Sequence, residues 1–258
     1  MSIYVYGFVP ADQAPPPERV PGVGEPPGTV RSVREGALAA LVSEAPADLR
    51  PRRRDLMAHQ EVLIAAGAAG SVLPLRFGCL AQDEDSVRRV LAERAEHFRE
   101  RLGALEGHQE FNVKAAHREE EVVRLVLAEE PELHALNEAR RARGDGDYRE
   151  RVRFGELIAE AVRARQAVDA RRIERALEPY ADGASPGPGS DAWLANISFL
   201  VPDDKVGGFN EALDRLDVTE AHLDVRAYGP LPPYSFAAAE PVPAGRHAGR
   251  GAALTGRE

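Results

Sequence analysis

The sequence predicts an α+β protein of two domains, an N-terminal sheet-and-helix domain and a C-terminal ferredoxin-like domain. Three observations predict it. First, hairpin-type strand pairs and strand–helix crossovers alternate along the chain, and the two kinds of connection together define the α+β class. Second, the half after Gly107 reads strand, helix, strand, strand, helix, strand, which is the βαββαβ order. Third, 258 residues are enough for two ordinary folds. The boundary falls near Leu105–His108, where Gly107 follows the end of an amphipathic helix. The predicted domains are 1–106 and 107–236. The second carries a helical insertion over 119–179 and an extended C-terminal strap, and 237–258 forms a tail.

The first domain opens on Ile3–Val9, a β-branched and aromatic run that reads as a strand. Period two puts Tyr4, Tyr6 and Phe8 on one face and Ile3, Val5 and Val9 on the other. Both faces are apolar, so the strand is predicted to be central with a helix over one face. Pro10–Gly28 is rich in proline and glycine and reads as a long surface loop. Thr29–Arg34 and Ala37–Ser43 flank Glu35-Gly36 and predict a β-hairpin. A helix follows over Arg50–Ala68, with a stripe at Leu56, His59/Gln60, Leu63 and Ala66/Gly67. Ser71–Gly78 reads as a strand, and Pro74 argues for an edge position or a strand start. Asp83–Leu105 reads as one amphipathic helix lined by Val87, Val90, Leu91, Ala95, Phe98 and Leu102, with three acids at its positive end.

The second domain starts with a strand over Glu110–Ala116. About 60 residues of helical pattern follow: Glu119–Ala128, Pro131–Arg143 and Tyr148–Leu177. A short strand near Tyr180–Gly183 is needed to complete the βαββαβ unit. Ala184–Ser190 reads as a linker, Trp193–Val201 as a strand, Asp203–Leu216 as a helix and Leu223–Tyr228 as the last strand. Gly229–Phe236 then carries three prolines. They fix φ and push their predecessors to extended geometry, so the segment is predicted to be a stiff strap that is neither helix nor central strand. Leu231, Tyr234 and Phe236 are its apolar groups. They seal the second domain in one reading and dock a partner in the other. Leu157, Ala161 and Val168 are the corresponding candidates on the long helix. The Ala/Gly/Arg-rich tail 237–258 has too little apolar content to order.

Composition narrows the function. Thirty-three basic and 42 acidic residues give a net charge of −9, which speaks against a general nucleic-acid binder. Cys79 is the one cysteine, so no intrachain disulfide or cysteine-rich metal site is expected, and a reducing cytoplasm is the natural setting. No signal peptide or membrane-spanning run is read. There is no P-loop, dinucleotide fingerprint, GxSxG or HExxH. No histidine pair has ligand spacing with supporting acids, so no catalytic, metal or cofactor residues are assigned. His59 beside a helix stripe and Arg76 in a strand define the competing reading, a small-ligand-binding or enzymatic ferredoxin-like protein. The aromatic run Tyr4, Tyr6, Phe8 matches half of an RNA-binding sheet pattern, but its basic, glycine-rich companion is missing. Glu119–Glu121 and Arg140–Arg143 read as solvated charged faces.

An ordered set of segments resembles the gas vesicle protein F/L family. Tyr-Val-Tyr-Gly (Tyr4–Gly7) comes first, then His-Gln-Glu-Val (His59–Val62) in a helix, then Val-Leu-Pro-Leu-Arg-Phe-Gly (Val72–Gly78). Phe-Asn-Val-Lys (Phe111–Lys114) and Phe-Leu-Val (Phe199–Val201) follow, and the helix after them carries Phe209. Gly-Pro-Leu-Pro-Pro-Tyr-Ser-Phe (Gly229–Phe236) closes the set. Cys79 stands where a small polar residue is more usual, and Leu231 where Trp is common. The resemblance implies a non-enzymatic accessory or minor structural protein of gas vesicle formation, cytoplasmic and vesicle-associated. Its implied partners are the main shell protein and other accessory proteins. It brings no catalytic residues.

Overall fold

The computed structural model describes residues 2–13, 20–144 and 147–237. Its first sheet contains β1 (Ile3–Pro10), β2 (Arg31–Glu35), β3 (Leu38–Glu44), β4 (Leu73–Pro74) and β5 (Leu80–Ala81). The order is β2-β3-β1-β4, with β5 also pairing β1. β1 is central, as its two apolar faces require, and both of its faces are covered rather than one. α1 (Arg53–Gly67) lies on one face; α2 (Glu84–Glu93) and α3 (Ala95–Leu105) lie on the other.

The predicted partition of β1 side chains is overturned by a bulge. Val5 pairs with Val42, but Gly7, not Tyr6, pairs with Leu41. The extra residue moves every later side chain to the opposite face. Tyr4, Tyr6 and Val9 therefore pack under α1, while Ile3, Val5 and Phe8 pack under α2 and α3. Gly7 is required at the bulge: a Cβ there would sit 2.7 Å from the Leu73 carbonyl oxygen.

Other departures have local causes. The α1 stripe is rotated, so Asp55, Ala58, His59, Val62, Leu63 and Ala66 are buried and Leu56 is exposed. The predicted Ser71–Gly78 strand is interrupted after Pro74, and the edge of β1 is covered in two short pieces. The long helix breaks at Arg94, whose φ of −116° and ψ of 21° leave the helical region. The Pro10–Gly28 segment is more than a surface loop: Val23 is fully buried and its N–H donates to the Tyr6 hydroxyl at 2.8 Å.

The second sheet contains β6 (His108–His117), β7 (Gly183–Pro186), β8 (Ala195–Pro202) and β9 (Leu223–Leu231) in the order β7-β8-β6-β9. All its pairs are antiparallel. β7 lies a few residues later than predicted and absorbs the start of the expected linker. Between β6 and β7 run α4 (Glu119–Glu129), α5 (Pro131–Ala142) and α6 (Tyr148–Leu177); α7 (Val206–Thr219) joins β8 to β9. Asp147 and Glu150 close a reciprocal capping box at the start of α6. Only the end of α6 is anchored on the sheet. Ile173 and Leu177 are fully buried with Phe111, Phe199, Phe209 and Leu223, each worth about 1.5–3 kcal/mol. Its earlier turns lie against α4 and α5. Of the tail 237–258 predicted to be disordered, Ala237 belongs to an ordered helical turn and is half-buried, and 238–258 lie outside the described residues.

Candidate functional site

The strap closes a junction between the two sheets. Its extended part ends at Pro233, and a single helical turn, α8 (Tyr234–Ala237), follows. A helix was excluded on the sequence because prolines break helices. Here they precede the turn, where their fixed φ suits a helix start. The strap was also expected to fold back on the second domain. Leu231 and Ser235 do meet the second sheet, but Phe236, 2% exposed, enters the cluster of Ile3, Val5, Phe8, Phe98 and Leu102, together with Leu200 from β8.

Polar contacts fix the turn. The Ser235 hydroxyl donates to Glu110 Oε1 at 2.7 Å, and the Ser235 N–H donates to Glu110 Oε2 at 3.0 Å. The Ser235 hydroxyl also lies 3.0 Å from that of Ser198, and Arg101 donates to the Phe236 carbonyl. Glu110 is buried, so these donors replace the water its carboxylate has lost. Leu231 is half-buried opposite Glu110 in the sheet. Tyr234 is 37% exposed, and its ring stacks toward His59 at 6.5 Å. A cleft of about 530 Å³ runs beside the strap, lined by Leu63, Ile64, Val72, His108 and Pro230 among others.

His59 and Arg76 do not form a site. His59 is buried, with Nε2 3.0 Å from the Leu75 carbonyl and Nδ1 2.9 Å from the Tyr4 hydroxyl. These partners suit a neutral ring with Nε2–H donating and Nδ1 accepting. Burial holds its pKa below the ordinary value, against the Leu75 hydrogen bond. Arg76 is exposed. With one group locked in core and the other in solvent, the pair offers no shared pocket. Tyr4, Tyr6 and Phe8 are buried too, so they present no stacking surface for bases.

On α6, Leu157 and Ala161 are half-buried and Val168 is 44% exposed. Their spacing of four and seven residues puts them on one flank. Val168 sits in a shallow depression with Arg171, Arg172 and Arg175.

One cluster escaped the sequence reading. His117 at the end of β6, Asp169 on α6 and His222 before β9 meet beside the second sheet. Both histidine Nε2 atoms lie on Asp169 Oδ2, at 2.9 and 3.0 Å. Arg165 Nε reaches both carboxylate oxygens, at 3.1 and 3.2 Å. Burial pushes the Asp169 carboxyl up; the hydrogen bonds from His117 and Arg165 and the nearby His222 more than reverse this, leaving it below its ordinary value. The three residues lie some 50 positions apart, so no local motif could have revealed them.

The sequence profile described as gas vesicle synthesis protein GvpL/GvpF matches residues 2–238. The chain belongs to the GvpL/GvpF family. It is 54% identical to gas vesicle protein F of Streptomyces sp. strain CB03234 over 236 residues, covering 92% of this chain and 99% of that one. It is 31% identical to gas vesicle protein L of the same strain over 277 residues, covering 96% and 97%. The crystal structure of GvpF from Anabaena sp. PCC7120 matches with a TM-score of 0.72 at 26% identity, over 93% of this chain and 99% of that one. GvpF from Microcystis aeruginosa shares the fold, with a TM-score of 0.68 at 24% identity over 92% and 98%. The family gives the chain a role connected with gas vesicles. Among the described residues, no helix is long and apolar enough to cross a membrane.

Proposed function

We propose that this GvpL/GvpF member is a non-enzymatic accessory or minor structural protein that supports gas vesicle assembly. In this reading it acts in the cytoplasm and at the vesicle, binding the main shell protein and other gas vesicle proteins. The observation that carries it is the family match over nearly the whole chain. The absence of a shared pocket for His59 and Arg76 adds support, since those were the residues of the enzymatic reading. The reading treats 1–106 and 107–236 as two units, the second on the ferredoxin-like plan. The strand order β7-β8-β6-β9 supports that assignment.

The binding surface proposed is the flank of α6 that carries Leu157, Ala161 and Val168. An exposed valine ringed by arginines suits a partner segment that is apolar at its centre and acidic at its rim. Tyr234 is a secondary contact; Leu231 and Phe236 serve closure. The test is co-purification of shell protein with Val168→Asp, with Val152→Asp on another flank of the same helix as control. Val168→Asp is expected to weaken capture roughly 10- to 30-fold, as a central contact would. Equal capture by both variants would remove the α6 surface. Normal vesicles after deletion of the gene would remove the assembly role itself.

A further inference from the structure

We propose that His117, Asp169 and His222 form a binding site for one divalent metal ion of the zinc class. The donor set is two imidazole nitrogens and one carboxylate oxygen, which suits zinc and disfavours magnesium or calcium. The three ligand atoms lie within 4.8 Å of one another. A tetrahedral zinc with bonds of about 2.0–2.1 Å holds its ligand atoms roughly 3.3 Å apart. The present nitrogen–oxygen separations of 2.9 and 3.0 Å would widen slightly to admit the ion, and the two imidazole nitrogens, within 4.8 Å of each other, would draw together.

The surroundings fit. A metal on His222 Nε2 leaves Nδ1 carrying the proton, and Nδ1 faces Glu220 Oε2 at 3.8 Å. That separation is longer than a hydrogen bond, and a small ring rotation would bring the carboxylate into the position that orients metal-bound imidazoles. In the metal-free state, His222 donates from Nε2 to Asp169, and its Nδ1 faces the separate carboxylate of Glu220. His117 Nδ1 is buried and has no hydrogen-bond partner among the described residues, while Nε2 donates to Asp169 Oδ2, so a metal at Nε2 would take the place of that proton. Arg165 can keep Asp169 Oδ1 while Oδ2 ligates. Around the cluster, the carboxylates of Asp169, Glu129 and Glu220 face the guanidiniums of Arg165 and Arg172, leaving one negative charge for a cation to meet.

Access exists from two sides. His222 lines one surface depression, with Glu129 and Thr219, and His117 lines another, with Val162 and Asp191. A water can thus complete the coordination shell. Bound metal would tie the end of β6, α6 and the segment before β9 together at one point.

The test uses full-length protein without a histidine tag, stripped with a chelator and titrated with Zn²⁺, with Co²⁺ as a coloured probe and Mg²⁺ as control. One zinc per chain is expected, with melting raised by roughly 5–10 °C at zinc a hundredfold above its Kd. Co²⁺ should show the visible absorption of a nitrogen–oxygen site, and Mg²⁺ should do nothing. His117→Gln and His222→Gln should each lose the response, while His134→Gln, at an exposed position, keeps it. In the unsubstituted protein, the ring signals of His117 and His222 should shift in NMR as zinc is added, a readout independent of whether any variant folds. Unmoved signals, no zinc response, or an unchanged response in both Gln variants would overturn the site and leave a hydrogen-bonded clamp only.

Discussion

Replacing Phe236 with alanine tests the junction most directly. The ring is buried in a cluster whose other members come almost entirely from the first sheet and its helices. A Phe→Ala change in a core costs about 3–5 kcal/mol, through lost transfer energy and the cavity left behind. Phe236 sits on a four-residue turn near the end of the described chain, so its surroundings can partly collapse. The lower end, about 3 kcal/mol, is expected. For a chain of this size that corresponds to a melting decrease of roughly 6–12 °C. Urea unfolding should give a lower midpoint with an unchanged m value. Amide exchange should quicken in β1 and α3, which are distant in sequence from the substitution. Tyr234→Ala, two residues away and partly exposed, should cost under about 1 kcal/mol. Equal losses from the two variants, or exchange changes confined to the second sheet, would refute the account of the strap.

Two further predictions follow from the first sheet. Gly7→Ala should destabilise by about 1–3 kcal/mol, because the new methyl meets the Leu73 backbone at the bulge; unchanged thermal melting would show that the bulge can relax. His59 is held below its ordinary pKa by burial, so the unfolded chain binds its proton more readily than the folded one. Its contribution is complete above about pH 6.5 and declines as pH falls from there toward the folded value, by up to about 1.4 kcal/mol per pH unit. His59→Gln should flatten stability between pH 7.5 and 5.5 relative to the parent protein, and an identical slope in both would disprove the assignment.

Much of the fold was legible because local and tertiary preferences agree. The bounds of α4, α5 and α6 follow from charge at the starts, Pro131 at a first turn and glycines between the second and third. The failures are places where a non-local contact decides. Tyr6 has the same local sequence whether or not β1 bulges; the choice is made by the close approach of Gly7 to the Leu73 backbone. Leu56 and Val90 look as apolar as their buried neighbours, and only the position of the sheet turns them outward. The strap's stiffness was readable from its prolines, but its destination was not, because a phenylalanine does not name the core it fills. His117, Asp169 and His222 carry no spacing signal, since three separate elements bring them together. The family resemblance was readable for the opposite reason: it rests on short segments in order and needs no knowledge of contacts.

The placement of Phe236 also bears on when the protein can fold during synthesis. The first sheet and its helices are complete once about Leu105 has left the ribosome, yet their core lacks Leu200 and Phe236 until roughly 130 more residues are made. At about 5–20 residues per second the gap lasts on the order of 7–26 s. Throughout that interval the nascent chain exposes an apolar socket shaped for its own distant end, and a chaperone or a neighbouring nascent chain can compete for it. Slowing translation between Leu105 and Leu200 should therefore lower the yield of folded protein, and supplying the Gly229–Ala237 segment as a free peptide should partly restore it.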